Sequence, residues 1–224
     1  MNELTTSMDT SPTLRINEIF HSLQGETRTV GLPTVFVRLT GCPLRCQYCD
    51  TAYAFHKGDV MTLSSILETV SSYGADFVTV TGGEPLAQPE CLSLLKQLCD
   101  TGAEVSLETS GAMSIANVDS RVVTVMDLKT PGSLECDRNL ESNIGLLKSN
   151  DQVKFVICDR RDYEWAKAKC DQYDLRHRVD EILFSPSFGT LSYKQLAEWI
   201  LADRLKVRMQ VQLHKHIWGD EPGH

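Results

Sequence analysis

Three things are missing from this sequence: a long apolar run, an excess of basic residues and a second cluster of cysteines. No stretch of the 224-residue chain approaches the roughly 20 apolar residues that span a bilayer. Residues 1–12 are polar and acidic, so no export signal is predicted. Asp and Glu outnumber Lys and Arg by 30 to 22, whereas polynucleotide binding relies on clustered Lys and Arg. We therefore expect a cytoplasmic protein that acts on a small molecule and binds neither membrane nor nucleic acid.

Internal repeats, low-complexity tracts and interdomain linkers are also missing. With 42% hydrophobic and 23% charged residues, the chain is long enough to bury one full core. The prediction is a single domain over residues 14–224, preceded by a disordered head over residues 1–13.

Short apolar runs rich in Val, Ile and Phe alternate along the chain with amphipathic helical patterns, two of which span Thr62–Tyr73 and Ser192–Ala202. This alternation predicts an α/β fold with a parallel sheet and helical crossovers. Seven or so strands are too few for a closed eight-stranded barrel, so we expect a partial, TIM-like barrel with its ligands at the carboxyl ends of the strands. The predicted strands are Val35–Leu39, Phe77–Thr81, Glu104–Glu108, Val122–Leu128, Val153–Ile157, Glu181–Ser185 and Val207–Leu213.

Three of the eight cysteines lie close together, at Cys42, Cys46 and Cys49. Three thiolates on one tight loop can ligate three corners of an iron-sulfur cube, whereas a four-iron cluster normally takes four cysteines. One iron would then keep an open position, which is typical of a catalytic site. The other cysteines are dispersed and are expected to be free thiols with structural roles. They are Cys91, Cys99, Cys136, Cys158 and Cys170.

A structural zinc ion is the alternative interpretation of this loop. Asp50 or His56 would supply its fourth ligand. Zinc sites usually combine two separated pairs of ligands, and no second pair follows here. The spacing therefore favours the iron-sulfur interpretation.

The spacing CxxxCxxC after a strand, with the aromatic Tyr48 before the last cysteine, resembles the radical S-adenosylmethionine superfamily. The resemblance implies that S-adenosylmethionine chelates the open iron of a [4Fe–4S] cluster through its amino and carboxylate groups. An electron from the cluster would then break the sulfonium bond and give a 5′-deoxyadenosyl radical.

A second segment, Gly82-Gly83-Glu84-Pro85, agrees with this resemblance. Glycines let the backbone approach a ligand closely, and Glu84 could accept a hydrogen bond from an ammonium group. In the superfamily this motif contacts the amino group of the cofactor.

The resemblance implies further cofactor contacts at Tyr48, Cys49, Asp50, Asp127 and Lys129. Many relatives carry Ser-Pro-Lys where this chain has Asp-Leu-Lys, and Lys129 is the position that agrees.

Three further segments, at Asn17–Glu26, Phe36–Leu39 and Cys49–Thr51, resemble the 7-carboxy-7-deazaguanine synthase family. The resemblance extends over residues 15–218. It implies a homodimeric lyase of queuosine and 7-deazapurine biosynthesis that converts 6-carboxy-5,6,7,8-tetrahydropterin to 7-carboxy-7-deazaguanine and ammonia. Flavodoxin is the kind of reducing partner expected for such an enzyme.

The residue types suit a pterin carboxylate. Arg38 could grip a carboxylate with its planar fork. Glu108 could accept two hydrogen bonds from an aminopyrimidine edge. The family resemblance implies substrate contacts at both and at a further set, which comprises Leu23, Gln24, Gly25, Thr81, His214 and the terminal carboxylate of His224.

Thr51 is a candidate Mg²⁺ ligand, because a hydroxyl is a hard oxygen donor and Mg²⁺ commonly takes few protein ligands. On sequence alone, a hydroxyl that caps the next turn is the competing role. The resemblance implies that Mg²⁺ and Arg38 together hold the substrate with its C6 hydrogen towards the deoxyadenosyl radical.

Two other functions share parts of these motifs. An activase that installs a glycyl radical on a partner protein would share the cysteine loop and the Gly-Gly-Glu-Pro segment, but it has no evident use for Thr51 or Arg38. A non-enzymatic iron-sulfur carrier would need the cysteines alone.

Overall fold

A computed structural model describes residues 11–219, 221 and 223 of the chain. Its centre is a nine-stranded sheet in the order β3-β1-β2-β4-β5-β6-β7-β8-β9. The strands are β1 (Thr13–Leu23), β2 (Pro33–Leu39), β3 (Asp59–Thr62), β4 (Phe77–Gly82), β5 (Glu104–Thr109), β6 (Val123–Asp127), β7 (Gln152–Ile157), β8 (Glu181–Pro186) and β9 (Arg208–Met209). The helices are α1 (Leu63–Ser72), α2 (Cys91–Asp100), α3 (Arg160–Gln172), α4 (Leu175–Arg178), α5 (Tyr193–Ala202) and α6 (Leu213–Trp218).

Seven of the strands, β2 and β4 to β9, run parallel to their neighbours in that part of the sheet. In the described part of the chain β3 and β9 form the two ends of the sheet and do not pair with each other. The predicted α/β fold with an open, partial barrel is therefore confirmed. Among the described residues, no helix is both long and apolar enough to cross a membrane.

The sequence pattern missed the amino-terminal edge of the sheet. β1 pairs antiparallel with both β2 and β3, so it extends the parallel sheet with two strands of the other orientation. β3 is only four residues long and half of it is exposed. So short and polar a segment gives no clear strand pattern by itself, and pairing with β1 is what makes it a strand.

The predicted closing strand at Val207–Leu213 is present over two residues only. Only Arg208–Met209 pairs with β8, and Leu213–Trp218 forms the short helix α6. The chain leaves the sheet because its polar groups bind the loop after β1 instead. The Gln210 side chain accepts a hydrogen bond from Thr27 N at 2.9 Å, and Leu213 N donates to Gly25 O at 3.0 Å.

Each parallel strand presents alternate residues to two different environments. On β7, Val153, Phe155 and Ile157 are fully buried against the helices, whereas Lys154 and Val156 face the other side of the sheet. The helix-facing residues form two apolar clusters, one under α1 and α2 and the other under α3 and α5. The opposite face of the sheet is left to line a cavity.

The start of α3 fixes a loop that supports this cavity. Asp159 caps the helix by accepting a hydrogen bond from Asp162 N at 2.9 Å. The buried Asp162 carboxylate then accepts hydrogen bonds from Gly132 N at 2.7 Å and from Cys158 N at 3.0 Å. Because buried carboxylates need partners, these bonds hold the loop after β6 against the end of β7.

Candidate active site

The carboxyl ends of the parallel strands surround a cavity of about 600 Å³, a volume typical of small-molecule sites. The loop after β1 and the segment around α6 complete its wall. Every predicted site residue within the described part of the chain lines this cavity except Glu84. His224, whose carboxylate was expected to reach the substrate, lies outside the described residues.

The loop after β2 places Cys42, Cys46 and Cys49 on one wall of the cavity. All three are free and half-buried. Burial raises the pKa of the Cys46 thiol to about 11, and the nearby ammonium of Lys129 opposes this rise. Iron binding therefore has to displace the protons of the thiols. The positive charge of Lys129 helps, because it stabilises the thiolates.

These thiols fit the three-cysteine ligand set of an iron-sulfur cube in donor type and placement. Within the described ranges, no group of three or more His, Cys, Asp and Glu side chains converges on one point as the ligands of a single metal ion would. In a four-iron cube each cysteine binds a different iron, so its ligands need not converge.

Two buried polar atoms beside the cysteines, Tyr48 Oη and Asp127 Oδ1, have no hydrogen-bond partner among the described residues. Buried polar atoms normally have a partner, and a bound ligand is one way to supply it. Asp127 Oδ2 binds Lys129 Nζ at 2.8 Å, and that ammonium lies 5.9 Å from the centre of the Tyr48 ring. Leu128, between them in sequence, is buried in the apolar core and faces away from the cavity.

Gly82 and Gly83 line the cavity, but their close approach is to the protein itself. A Cβ atom on Gly83 would clash with Gly41 O and come within 2.6 Å of Cys42 Cβ, and one on Gly82 would clash with Leu39 O. The backbone also joins the two loops, since Glu84 N donates to Gly41 O at 2.9 Å. The two glycines therefore let the loop after β4 pack against the cysteine loop.

Glu84 is fully buried and lies behind the cavity wall. Its carboxylate accepts hydrogen bonds from Leu86 N at 3.0 Å, from Ser110 N at 2.8 Å and from the hydroxyls of Thr109 and Ser110. In this arrangement it joins the loop after β4 to the loop after β5, and a contact with cofactor would require it to exchange one of these partners.

Arg38 lies on the cavity-facing side of β2. Its Nε donates to Glu18 Oε1 at 2.6 Å, and its guanidinium lies 5.8 Å from the ring centres of both Phe20 and Tyr53. The Tyr53 hydroxyl donates to the same Glu18 oxygen at 2.8 Å. Aromatic faces and a carboxylate thus fix the fork in one orientation, with its Nη groups available to an anion.

Gln24, Thr81 and Glu108 form one hydrogen-bonded group. Thr81 Oγ1 donates to Glu108 Oε2 at 2.9 Å, and Gln24 Nε2 approaches Glu108 Oε1 at 3.4 Å. Burial and the charge of Glu26 raise the pKa of Glu108. A half-buried carboxylate that accepts hydrogen bonds from neutral donors such as these is suited to accept further ones from a polar ligand.

The Thr51 hydroxyl lines the cavity and does not cap the turn that follows it. It donates to Asp50 Oδ1 at 2.8 Å, while Gln212 Nε2 donates to Asp50 Oδ2 at 2.8 Å. Burial by itself would raise the pKa of Asp50, but the hydrogen bonds from Gln212 and Thr51 outweigh it and lower the pKa to about 2. The Thr51 oxygen keeps lone pairs for a hard cation while its proton is held by Asp50.

His214 lies on α6 rather than on a strand, and it reaches the cavity beside Gly25. A Cβ atom on Gly25 would clash with the His214 ring, so a glycine is needed at this contact. Burial lowers the pKa of His214. The imidazole is therefore neutral at pH 7 and can either donate or accept a hydrogen bond.

Sequence reasoning missed Lys154 and Glu26, which form an ion pair inside the cavity. One sequence feature could have identified Lys154, because it is a lysine flanked by apolar residues in the middle of a predicted strand. Its partner lies 128 residues away in sequence, so the pairing itself could not be read from any local pattern. Gln212, which binds Asp50, was missed for the same reason.

Comparison with known proteins agrees with this geometry. A model of the Radical SAM superfamily matches residues 36–121. The 7-carboxy-7-deazaguanine synthase of Chlorobaculum tepidum is 43% identical over 217 residues, which cover 96% of this chain and 98% of that protein. The chain belongs to the 7-carboxy-7-deazaguanine synthase family.

Other members of the family and solved structures extend the comparison. The 7-carboxy-7-deazaguanine synthase of Thermoplasma acidophilum is 38% identical, over 93% of this chain and 99% of that protein. The crystal structure of QueE from Escherichia coli matches with a TM-score of 0.70 and 23% identity over 90% of this chain and 95% of that chain. Streptococcus suis SuiB bound to S-adenosylmethionine matches with a TM-score of 0.55 and 13% identity, over 77% of this chain and 44% of that chain. These two structures support the fold alone.

Membership of the family confirms the predicted class of enzyme. The chain is a radical S-adenosylmethionine lyase with a [4Fe–4S] cluster and S-adenosylmethionine as cofactors. Family membership thus favours this enzyme over the three alternatives, which were a structural zinc protein, a glycyl-radical activase and an iron-sulfur carrier.

Proposed function

We propose that this enzyme converts 6-carboxy-5,6,7,8-tetrahydropterin to 7-carboxy-7-deazaguanine with release of ammonia, as a step of queuosine and 7-deazapurine biosynthesis. One observation supports this substrate above the others. Arg38 and the group formed by Gln24, Thr81 and Glu108 line the same cavity as the three cysteines. A fork for a carboxylate and acceptors for an aminopyrimidine therefore lie beside the place where a radical would form.

The protein side chains bind and orient this substrate. Arg38 pairs with the carboxylate through its Nη groups, because Nε is occupied by Glu18. Glu108 accepts hydrogen bonds from the amino group and ring N–H of the pterin, with Gln24 and Thr81 holding its carboxylate in place. The helix α6 and the loop that follows β1 cover the pterin ring and keep water from it.

The cofactors supply the chemistry that side chains cannot. Cys42, Cys46 and Cys49 would hold the cluster, and with S-adenosylmethionine it would supply a carbon radical for removal of the C6 hydrogen of the substrate. The backbone of Gly82 and Gly83 and the side chain of Lys129 line the space where it would be held.

A magnesium ion at Thr51 belongs to the same proposal. The Thr51 oxygen lines the cavity and its proton is directed to Asp50, which leaves the oxygen free to bind a hard cation. Substrate oxygens and water would complete the shell of the ion. Flavodoxin as electron donor and a homodimeric assembly complete the proposal.

An anaerobic turnover assay tests the function. The reconstituted enzyme is incubated with S-adenosylmethionine, the tetrahydropterin and reduced flavodoxin, with and without Mg²⁺, and the deazaguanine is followed by mass spectrometry. We expect product that increases with Mg²⁺. Cleavage of S-adenosylmethionine without any deazaguanine would contradict the proposed substrate.

In the same assay, a variant of Arg38 tests where the carboxylate of the substrate binds. Arg38→Lys keeps the charge but loses the planar fork, so we expect KM for the pterin to rise about tenfold, since a hydrogen bond to a charged group contributes about 1.5 kcal/mol or more. Arg121→Lys is the matched control, because Arg121 pairs with Asp100 and Asp119 on the surface. Equal KM values for the two variants would place the carboxylate elsewhere.

A further inference from the structure

The ion pair between Lys154 and Glu26 has no part in the binding roles described above. Lys154 is on the cavity-facing side of β7 and Glu26 is on the loop after β1. Their side chains are 16% and 11% exposed, so both charges are largely withdrawn from water. Replacing a buried ion pair by apolar residues is often neutral or stabilising, so stability alone does not account for its presence.

Lys154 lines the same cavity as the three cysteines and the group formed by Gln24, Thr81 and Glu108. Its charge acts on Tyr48 and Asp50 on the side of the cysteines. It also acts on Glu108 and His214 on the side of the pterin-binding group. Lys154 therefore shares the cavity with both sets of residues, between which a substrate would be held.

Other cations line the cavity, but each is committed to a different place. Arg38 is held by Glu18 and cannot release a proton at neutral pH. Lys129 is paired with Asp127 beside Tyr48, in the region of the cofactor. Lys215 lies on α6, over the ring of Phe188 and 3.6 Å from the carboxylate of Asp50, beside Thr51. Lys154 is therefore the ammonium best placed to donate a proton at the pterin.

Resting on the proposed function, we propose that Lys154 is the general acid that protonates the departing nitrogen when ammonia is lost from the ring-contracted substrate, with Glu26 holding its ammonium in place. Burial would lower the pKa of Lys154, but the charge of Glu26 outweighs it and raises the pKa above its usual value. The side chain is thus fully protonated before the step. Transfer is still favourable, because nitrogen becomes far more basic than an amine as its bond to carbon breaks.

The step balances without any added oxidant or reductant. The carbon–nitrogen bond breaks, its electron pair goes to nitrogen, and the Lys154 ammonium supplies the proton that completes ammonia. A neighbouring ring carbon loses a proton as its C–H electrons form the double bond of the deazaguanine. The neutral Lys154 amine takes up that proton, which restores the ion pair with Glu26 for the next turnover.

Two variants distinguish whether Lys154 donates a proton or only holds neighbouring groups in place. Lys154→Arg preserves the ion pair with Glu26 but cannot release a proton at neutral pH. Lys154→Met removes the charge at similar size. Both are assayed with pterin deuterated at C6, so that transfer of deuterium into S-adenosylmethionine reports the radical step while ammonia and deazaguanine report the elimination.

We expect Lys154→Arg to transfer deuterium like the unaltered enzyme while ammonia release falls about 100-fold, the range for loss of a general acid. A species with the mass of the substrate should accumulate, because the ring has rearranged without losing nitrogen. Lys194→Met is the control, since Lys194 is 83% exposed on α5, and it should match the unaltered enzyme in both measurements.

Two outcomes would overturn the assignment. Ammonia release by Lys154→Arg at the unaltered rate would show that only the charge is needed. Parallel loss of deuterium transfer and ammonia release in Lys154→Arg would show that Lys154 orients the substrate instead. The experiment does not depend on the folding of Lys154→Met, because Lys154→Arg keeps the pair. Should the unaltered enzyme itself form no deazaguanine, the proposed substrate fails, which is a separate result.

Discussion

On β5, Val105 and Leu107 face the helices and are fully buried in an apolar cluster, whereas Ser106 and Glu108 lie on the other side of the sheet, where Ser106 binds Thr79 and Glu108 lines the cavity. The same contrast runs across the parallel strands. The helix-facing side is Val, Ile, Leu and Phe, packed into apolar clusters. The cavity-facing side carries Arg38 and Lys154, each paired with a carboxylate on β1 or on the loop after it.

A closed barrel of this family of folds normally fills its interior with layers of bulky branched residues. Here the interior face of the open barrel carries charged and polar side chains beside apolar ones and leaves about 600 Å³ of space. Buried charges add little to stability, whereas apolar burial contributes most of it. The comparison therefore indicates that the helix-facing side stabilises the fold and the cavity-facing side was selected for a ligand.

The largest expected effect comes from replacing a cysteine of the cavity, compared with a cysteine of the helix-facing side. Cys46→Ser removes a soft thiolate ligand at the cavity, so we expect loss of the cluster and of S-adenosylmethionine cleavage, with little change in folding. Cys91→Ala, on the helix-facing side and fully buried, should keep both. Iron content and 5′-deoxyadenosine formation measure the difference. A Cys46→Ser protein that still binds a full cluster would contradict the assignment of the loop.

Removal of a helix-facing aromatic should act on stability instead. Phe184 is fully buried, with ring centres 5.4 Å from Phe155 and 5.8 Å from Tyr163. We expect Phe184→Ala to lower the free energy of unfolding by about 3–5 kcal/mol through lost packing and a cavity. Urea unfolding followed by circular dichroism measures it.

Leu201→Ala is the control for this loss, because Leu201 is 75% exposed on α5. Its effect should stay within about 0.5 kcal/mol. Similar losses in Phe184→Ala and Leu201→Ala would mean that Phe184 is not part of the stabilising core.

Gly83→Ala tests the close approach of two cavity loops. A Cβ atom here would clash with Gly41 O and crowd Cys42, so the cysteine loop must shift. We expect a loss of about 1–3 kcal/mol in the free energy of unfolding from overpacking, together with reduced iron loading. Gly145→Ala has nothing within 4 Å of its new atom and should load iron normally. Full iron loading of both variants would show that the approach of the loops is not needed.

The smallest expected effect is a pH dependence at His214. Burial lowers its pKa below the usual value of 6.5, while Glu26 and Asp50 oppose the shift and Lys215 and Lys154 add to it. The unfolded chain then binds more protons than the native one below pH 6.5, so stability falls as the pH drops from about 6.5 through the lowered pKa. The free energy of unfolding, measured from about pH 7.5 down to about pH 5.5, should decline less in His214→Asn. An unchanged slope would exclude His214 as the source.

Much of the fold follows from local pattern. The parallel strands other than β9, and the helices α1 and α5, were recognisable because each buries one face, and the apolar period records that face directly. The short polar strand β3 and the helix α6 were not, since their conformation depends on partners distant in sequence. β3 forms by pairing with β1, and α6 forms where Leu213 binds the backbone of Gly25.

The sequence by itself determined the chemistry of the centre: three cysteines on one loop, a glycine pair after the next parallel strand, and Arg38, Thr51 and Glu108 as polar candidates. Only the tertiary structure decided which groups meet. It placed Glu84 behind the cavity wall and directed the Thr51 hydroxyl to donate its hydrogen bond to Asp50. It also brought Lys154 to Glu26 across 128 residues. A motif specifies residue types along the chain, whereas a hydrogen bond or an ion pair requires two side chains to share one place, and packing of the whole sheet decides that.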